Sequence, residues 1–387
     1  MKKTLVAMAA LASVTAFAQS TVSITGNVDV AGVRISGTMT GAKGTTFSQN
    51  TGTGSTSSIN FEAVEDIGGG TKITGRYEID PRDWTNDNLA STMNAASTAS
   101  MAQSVVVTGL KRHQAFIGAS GGFGNIRLGA PNAPSLDVHG LSSPLGTGIG
   151  SGFANTTDTL TTRLIPAARY SRSARYDTPT ISGLTGSLTF APGNDVTGQE
   201  TAGGLYQQLH MPNARRATEF ALRYSNGPLN IGVVNISTAY QTNQLSWFGA
   251  SQIATDVTAL GSLATKGNLA GVNYNLGQTT LYAGFGSGGS RATTTAAVKT
   301  DFSRYAIKHT MGPIDLIAQM TTVGDTTVSS GAKQTAKVTG LKGDYNLSKT
   351  AVVYLGYEKL DTGTVAATTN TTSGTRTLTS IGLRKSF

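Results

Sequence analysis

A chain of 387 residues with 30 Lys+Arg against 21 Asp+Glu carries a formal charge of +9. Only 13% of its residues are charged, about half the ~25% of ordinary soluble domains, and so low a charge argues against an extended disordered chain. Cys is absent, which excludes a disulfide scaffold, thiolate metal sites and a Cys nucleophile. His113, His139, His210 and His309 are scattered, with no metal-binding spacing, and no phosphate-cradling P-loop occurs. The reading is therefore of a chain with no cofactor, no metal and no enzymatic site. The basic residues are spread rather than clustered, so nucleic acid is not an expected partner.

The first element is an address. Lys2 and Lys3 precede an apolar run from Leu5 to Ala12, and Ala16-Phe17-Ala18 supplies a small-residue cleavage site. Residues 1–18 are expected to be a cleaved secretory signal peptide, with 19–387 as one domain. The apolar run is too short to cross ~30 Å of hydrocarbon.

From Val22 onward the pattern has a period of two. Val22, Ile24, Val28 and Val30 oppose Ser23, Thr25, Asn27 and Asp29. Ile59, Phe61 and Ala63 follow, then Ile73, Tyr77 and Ile79, with Gly68-Gly69-Gly70 between them as a hairpin turn. The alternation returns at Leu184–Phe190, Phe220–Tyr224, Val272–Leu276, Leu281–Phe285, Ile314–Met320, Leu341–Leu347, Val353–Tyr357 and Ile381–Phe387. About 16 strands are expected. Short turns (Ile67–Gly70, Ser120–Gly122, Ser225–Pro228, Leu347–Lys349) alternate with long polar ones (Gly37–Ser57, Pro81–Val105, Thr321–Ala336). A soluble sandwich would alternate too. However, the polar face is too large and too charged to pack on itself, and no linker divides the chain. An all-β, closed antiparallel transmembrane barrel, wet inside and apolar outside, accounts for both. Closure is needed because an open sheet edge in hydrocarbon leaves backbone groups unpaired. At this strand number the lumen stays an aqueous channel.

Several segments resemble one family in the right order. Ser20-Thr21-Val22-Ser23-Ile24-Thr25-Gly26-Asn27-Val28-Asp29 resembles its first strand, and Glu65-Asp66-Ile67-Gly68-Gly69-Gly70 its first hairpin. Gln114-Ala115-Phe116-Ile117-Gly118 with Gly121-Gly122-Phe123-Gly124, Ser173–Pro179, Asp344–Lys349 and Ile381–Phe387 resemble later strands and the closing one. The family is the Gram-negative general porins of the neisserial and Burkholderia–Comamonas type. The resemblance implies a homotrimer in the outer membrane, among its lipids and lipopolysaccharide, with a third extracellular loop folded into the pore. It also implies that Phe387 belongs to the signal read by the assembly machinery.

That loop would run from about 130 to 168, carrying Asp137 and Asp158 with His139 and Arg163. Where the family often places Arg at the loop's start, this chain has Ala130. Strand parity directs Arg76, Arg127, Arg169 and Arg175 into the lumen, together with Arg223, Lys342 and Arg384. A charge on the lipid face would cost ~2–4 kcal/mol near the midplane. Arg34 joins this set if a bulge follows Ala31-Gly32. Arg34, Arg76, Arg127, Arg169, Arg175, Asp137 and Asp158 are thus the expected constriction residues, and rings of Arg favour anions. The expected function is passive diffusion of small hydrophilic solutes, leaning toward anions. One alternative is a porin preferring small carboxylates or phosphate; another is a non-conducting adhesin or structural barrel.

Overall fold

A computed structural model describes residues 20–38, 43–48, 52–80, 111–152, 168–170, 172–192, 216–241, 262–292, 298–326, 333–362 and 374–387. The expected signal peptide and the connection Pro81–Val105 lie outside them. The strands are β1 (Thr21–Gly37), β2 (Gly44–Ser48), β3 (Ser58–Gly68), β4 (Thr71–Asp80), β5 (Lys111–Gly121) and β6 (Gly124–Ala130). They continue with β7 (Ser173–Asp177), β8 (Leu184–Pro192), β9 (Arg216–Asn226), β10 (Leu229–Gln241), β11 (Ser262–Asn275) and β12 (Thr279–Ala292). The last are β13 (Val298–Met311), β14 (Ile314–Thr326), β15 (Lys333–Ser348), β16 (Ala351–Thr362) and β17 (Gly374–Ser386). One helix, α1 (Pro134–Ser142), lies between β6 and β7.

Sequential strands pair antiparallel, and β1 closes the circuit against β17, from Asn27 opposite Ser386 to Gly37 opposite Arg376. Gly26 and Phe387 exchange both backbone hydrogen bonds at the seam, at 2.9 and 3.0 Å. β3 pairs with the first half of β1 and β2 with the second. These two segments share one stave, so the barrel has sixteen staves. The short turns all gather at one end. Thr321–Ala336, expected as a long connection, is mostly strand: β14 runs to Thr326 and β15 begins at Lys333. Its threonines made it read as loop, yet they extend the ladder beyond the apolar band.

The two faces separate by chemistry. Ile24, Tyr77, Ile117, Leu128, Phe190, Leu222, Leu281, Leu316, Leu355 and Leu383 are exposed on the outside. Asp29, Glu78, Arg175, Asp177, Glu219, Arg304, Lys342 and Glu358 are buried on the inside. α1 and the turns up to residue 152 pack against this inner face rather than over the rim. Asn273 Nδ2 of β11 donates to Leu141 O at 3.0 Å. The wall is hollowed to admit them. A Cβ at Gly271 would fall 2.3 Å from Val138 O, and one at Gly340 2.2 Å from Gly150 O.

Candidate functional site

The inner segment is fastened strut by strut around the wall. Pro134 opens α1, and Ala133 offers no side-chain cap. The cap comes from β9 instead. Glu219 accepts hydrogen bonds from Ser135 N at 2.8 Å, Ser135 Oγ at 2.9 Å and Tyr170 Oη at 2.6 Å. A carboxyl group suits this place because the first amides of a helix are unpaired and carry partial positive charge. At the other end, Ser143 Oγ donates to Gln319 Oε1 of β14 at 2.9 Å, and Gln319 Nε2 donates to Ser151 O at 3.2 Å. Gly150 N donates to Glu358 Oε2 of β16 at 2.7 Å.

A second inward segment completes the arc. Residues 52–57, between β2 and β3, turn inside the barrel. Ile149 N donates to Thr53 O at 2.8 Å. Ser55 N donates to Asp29 Oδ2 at 2.8 Å and Gly54 N to Tyr354 Oη at 2.8 Å, while Tyr354 Oη donates to Asp29 Oδ1 at 2.5 Å. By sequence this stretch belongs to the long polar connection Gly37–Ser57. Its small residues gave no sign of depth, but Asp29 on an inward position was a clue that something must donate to it.

Behind α1, Arg304 of β13 is fully buried. Its Nη1 donates to His139 Nδ1 and to Ser142 Oγ, each at 3.1 Å, and its Nε donates to Thr321 Oγ1 at 3.1 Å. A guanidinium only donates, so Nδ1 is the acceptor and Nε2–H donates to Gly146 O at 3.3 Å. Burial, and then the Arg304 charge, push His139 down to about 3. The imidazole is neutral in the folded barrel but takes a proton below about 6.5 when unfolded. The folded state therefore loses stability as pH falls from about 6.5 toward 3. In urea titrations at pH 7 and pH 4, His139→Gln should lose less stability on acidification than the parent chain. An identical loss in both would remove His139 from the pH dependence.

The cations expected in the lumen fall into two groups. In the first, Arg76 lies 3.3 Å from Glu62 and 3.5 Å from Glu78. Glu78 also meets His113 Nδ1 at 3.2 Å and Gln114 Nε2 at 3.0 Å. Arg169 bridges in backbone register to Asn132, and its charge bears on Glu78. In the second, Arg127 pairs with Asp177. Arg175 is 2% exposed and touches Asp137 at 2.5 Å, Asp177 at 2.8 Å and Asn132 O at 2.7 Å. Asp137, carried on α1, also faces Arg223 at 3.5 Å, and Arg223 faces Asp177 at 3.7 Å. Arg223, outside the expected constriction set, is 32% exposed. Within this group three guanidinium groups meet two carboxylates, and Arg223 is the one most open to the lumen.

Arg34 is a correction. The expected bulge does not form, because β1 runs in unbroken register along β17. Asp29, Ala31 and Val33 therefore point inward and are buried, while Arg34 is exposed on the outer face. Asp158 lies outside the described residues. Phe387 is 52% exposed on the outer face at the barrel seam.

Comparison with known proteins gives one consistent result. A family model described as Gram-negative porin matches residues 4–364. The major outer membrane protein P.IB of Neisseria meningitidis serogroup B is 30% identical over 250 residues, which is 63% of this chain and 65% of that protein. The match thus spans just under two thirds of the relative's length. The same-named protein of Neisseria gonorrhoeae is 30% identical over 136 residues, 35% of this chain and 32% of that one. Among solved structures, an anion-selective porin from Comamonas acidovorans superimposes with a TM-score of 0.69 at 18% identity, covering 95% of this chain and 100% of that one. The trimer form of OmpT from Vibrio cholerae gives 0.65 at 13% identity, covering 95% and 99%.

Proposed function

We propose, from the premise that this chain belongs to the Gram-negative porin family, that it is a passive diffusion channel with a preference for small anions. It resides in the outer membrane. Ions and small hydrophilic solutes cross the lumen without chemical change. The inward segment of residues 130–152 narrows the passage, and the fixed charges beside it bias what enters. A homotrimer is part of this reading, supported by the trimeric form of a structural neighbour.

The observation that carries the anion preference is the excess of Arg127, Arg175 and Arg223 over Asp137 and Asp177. Arg175 is consumed by two carboxylates and holds α1 to the wall. Arg223 shares the same two carboxylates at 3.5 and 3.7 Å, but it is the most exposed of the three and so the one that meets a passing solute. Arg76, between Glu62 and Glu78, contributes less than its position suggested.

Reversal potentials across a KCl gradient test this. The parent channel should prefer chloride. A unit charge about 4 Å from a passing ion is worth about 1 kcal/mol in water, about five-fold for each ion and of opposite sign for chloride and potassium. Arg223→Ala should lower the chloride preference and Asp137→Asn should raise it. Both changes should fade at 1 M salt, where the screening length falls to about 3 Å. A cation-preferring parent channel, or two variants that leave the ratio unchanged, overturns the electrostatic part. Absence of conductance in planar bilayers overturns the channel itself.

A further inference from the structure

The acids of the inner wall divide by what answers them. Glu78, Asp177 and Asp344 each lie within 3.5 Å of an Arg or Lys. Asp29, Glu219 and Glu358 are each 0% exposed. Among the described residues none of these three accepts a hydrogen bond from an Arg or Lys. The inward segments supply donors instead: Ser55 to Asp29, Ser135 to Glu219 and Gly150 to Glu358.

Asp29 differs from the other two because its cover, residues 52–57, is a separate piece of chain. Asp29 receives Ser55 N at 2.8 Å, Ser55 Oγ at 3.2 Å and the Tyr354 hydroxyl. Gly54 N donates to that same hydroxyl at 2.8 Å. A Cβ at Gly54 would fall 3.0 Å from the Tyr354 ring and 3.2 Å from Asp29 Oδ2, so the cover lies directly on the acid. Its partly exposed residues, Ser55 and Thr56, are uncharged. Thr56 Oγ1 meets Thr147 Oγ1 of the larger inward segment at 3.1 Å. Arg384 stands opposite Asp29 in register and is half-buried. A carboxylate filled by fixed N–H and O–H donors is matched where it stands, and the Arg384 charge is then left to the lumen.

We propose that residues 52–57 are a charge mask that makes Asp29 a concealed determinant of ion preference. While the cover is in place, Asp29 adds nothing to the field a passing ion meets. Uncovered, it either stands in the lumen or neutralises Arg384, and both shift the channel toward cations. Tyr354 is a positioning residue that ties cover to acid. This rests on the channel reading and goes beyond it, because the preference then depends on which acids are withheld as well as on which arginines are present.

Reversal potentials across a KCl gradient, read together with single-channel conductance, test the mask. Asp29→Asn should leave the ion ratio at the parental value, whereas Asp137→Asn, at an acid 25% exposed, raises the chloride preference. Two variants disturb the cover by independent routes. Tyr354→Phe removes the shared hydroxyl, and Gly148→Val places a Cβ 2.2 Å from Gly54 O. Each should raise conductance and shift the ratio toward potassium, by up to about five-fold for each ion. Adding Asp29→Asn to either should restore the parental ratio while conductance stays raised, a rescue that a purely structural role for Tyr354 would not give. A shift in Asp29→Asn as large as that in Asp137→Asn overturns the proposal, because the acid would already be felt in the lumen. So does an unchanged ratio in both Tyr354→Phe and Gly148→Val, or a shift toward potassium that survives Asp29→Asn. Every outcome is a difference between variants, so a parent channel that prefers potassium overturns the anion preference alone.

Discussion

Glu219→Ala is expected to free the start of α1 and widen the lumen. The substitution removes the acceptor of three buried donors at once: Ser135 N, Ser135 Oγ and Tyr170 Oη. Each buried donor left without a partner costs about 1–3 kcal/mol. Lumen water recovers part of that, leaving a loss on the order of 3–5 kcal/mol. Glu219→Gln should be intermediate, because one amide oxygen still accepts but the amide nitrogen faces donors. Arg304→Met makes the useful contrast. Arg304 is buried without a carboxylate partner among the described residues, so removing it relieves a charge-burial cost that offsets the hydrogen bonds lost to His139, Ser142 and Thr321. Urea unfolding in liposomes should therefore rank Glu219→Ala below Glu219→Gln, with Arg304→Met near the parent chain. Single-channel conductance should rise in Glu219→Ala, and protease should cut within residues 131–152. A Glu219→Ala barrel with parental stability and conductance would show that the wall carboxylate does not hold the helix.

Much of this architecture was readable from alternation, because lipid outside and water inside force opposite chemistry on successive residues. Ile59–Ile79 with its Gly68-Gly69-Gly70 turn, and the strand closing at Phe387, needed nothing more. Parity failed at Arg34 for a specific reason. Ala31 and Val33 are apolar yet inward, packed with Ile149, Tyr354 and Leu378. Where the inner segment leans on the wall, a strand is apolar on both faces, and a reader of alternation inserts a bulge that is not there. The same holds at Val234, Ile236, Leu269 and Val338, which pack inward in a second buried cluster. Inward Arg76, Arg127 and Arg175 were legible, but their neutralisation was not. Asp177 receives Arg127, Arg175 and Ser187 together, and that convergence depends on how β6 and β8 register against β7. α1 escaped notice because Pro, Gly and Ser give it no periodic face of its own; the wall holds it.

Gly340→Val is expected to lift the far end of the inner segment off β15. The Cβ would lie 2.2 Å from Gly150 O and 2.5 Å from Gly150 Cα. Both contacts are with backbone, so no rotamer change relieves them. Gly150 has φ +87, a left-handed conformation that favours glycine, so the segment cannot easily rearrange in place. Overpacking of this kind costs about 1–3 kcal/mol. If the segment yields instead, it loses the hydrogen bonds from Gly150 N to Glu358 and from Gln319 to Ser151 O. Either route loosens the turn, and single-channel conductance should rise with a stability loss of about 1–3 kcal/mol. Gly343→Val is the control: the same strand, three residues on, but outward, with its nearest neighbour at 3.7 Å. It should leave conductance and unfolding unchanged. The decisive quantity is the difference between the two glycines. If both variants conduct like the parent, residues 148–152 do not rest on the wall at Gly340. If both are equally disrupted, the strand rather than the inner segment is what valine disturbs.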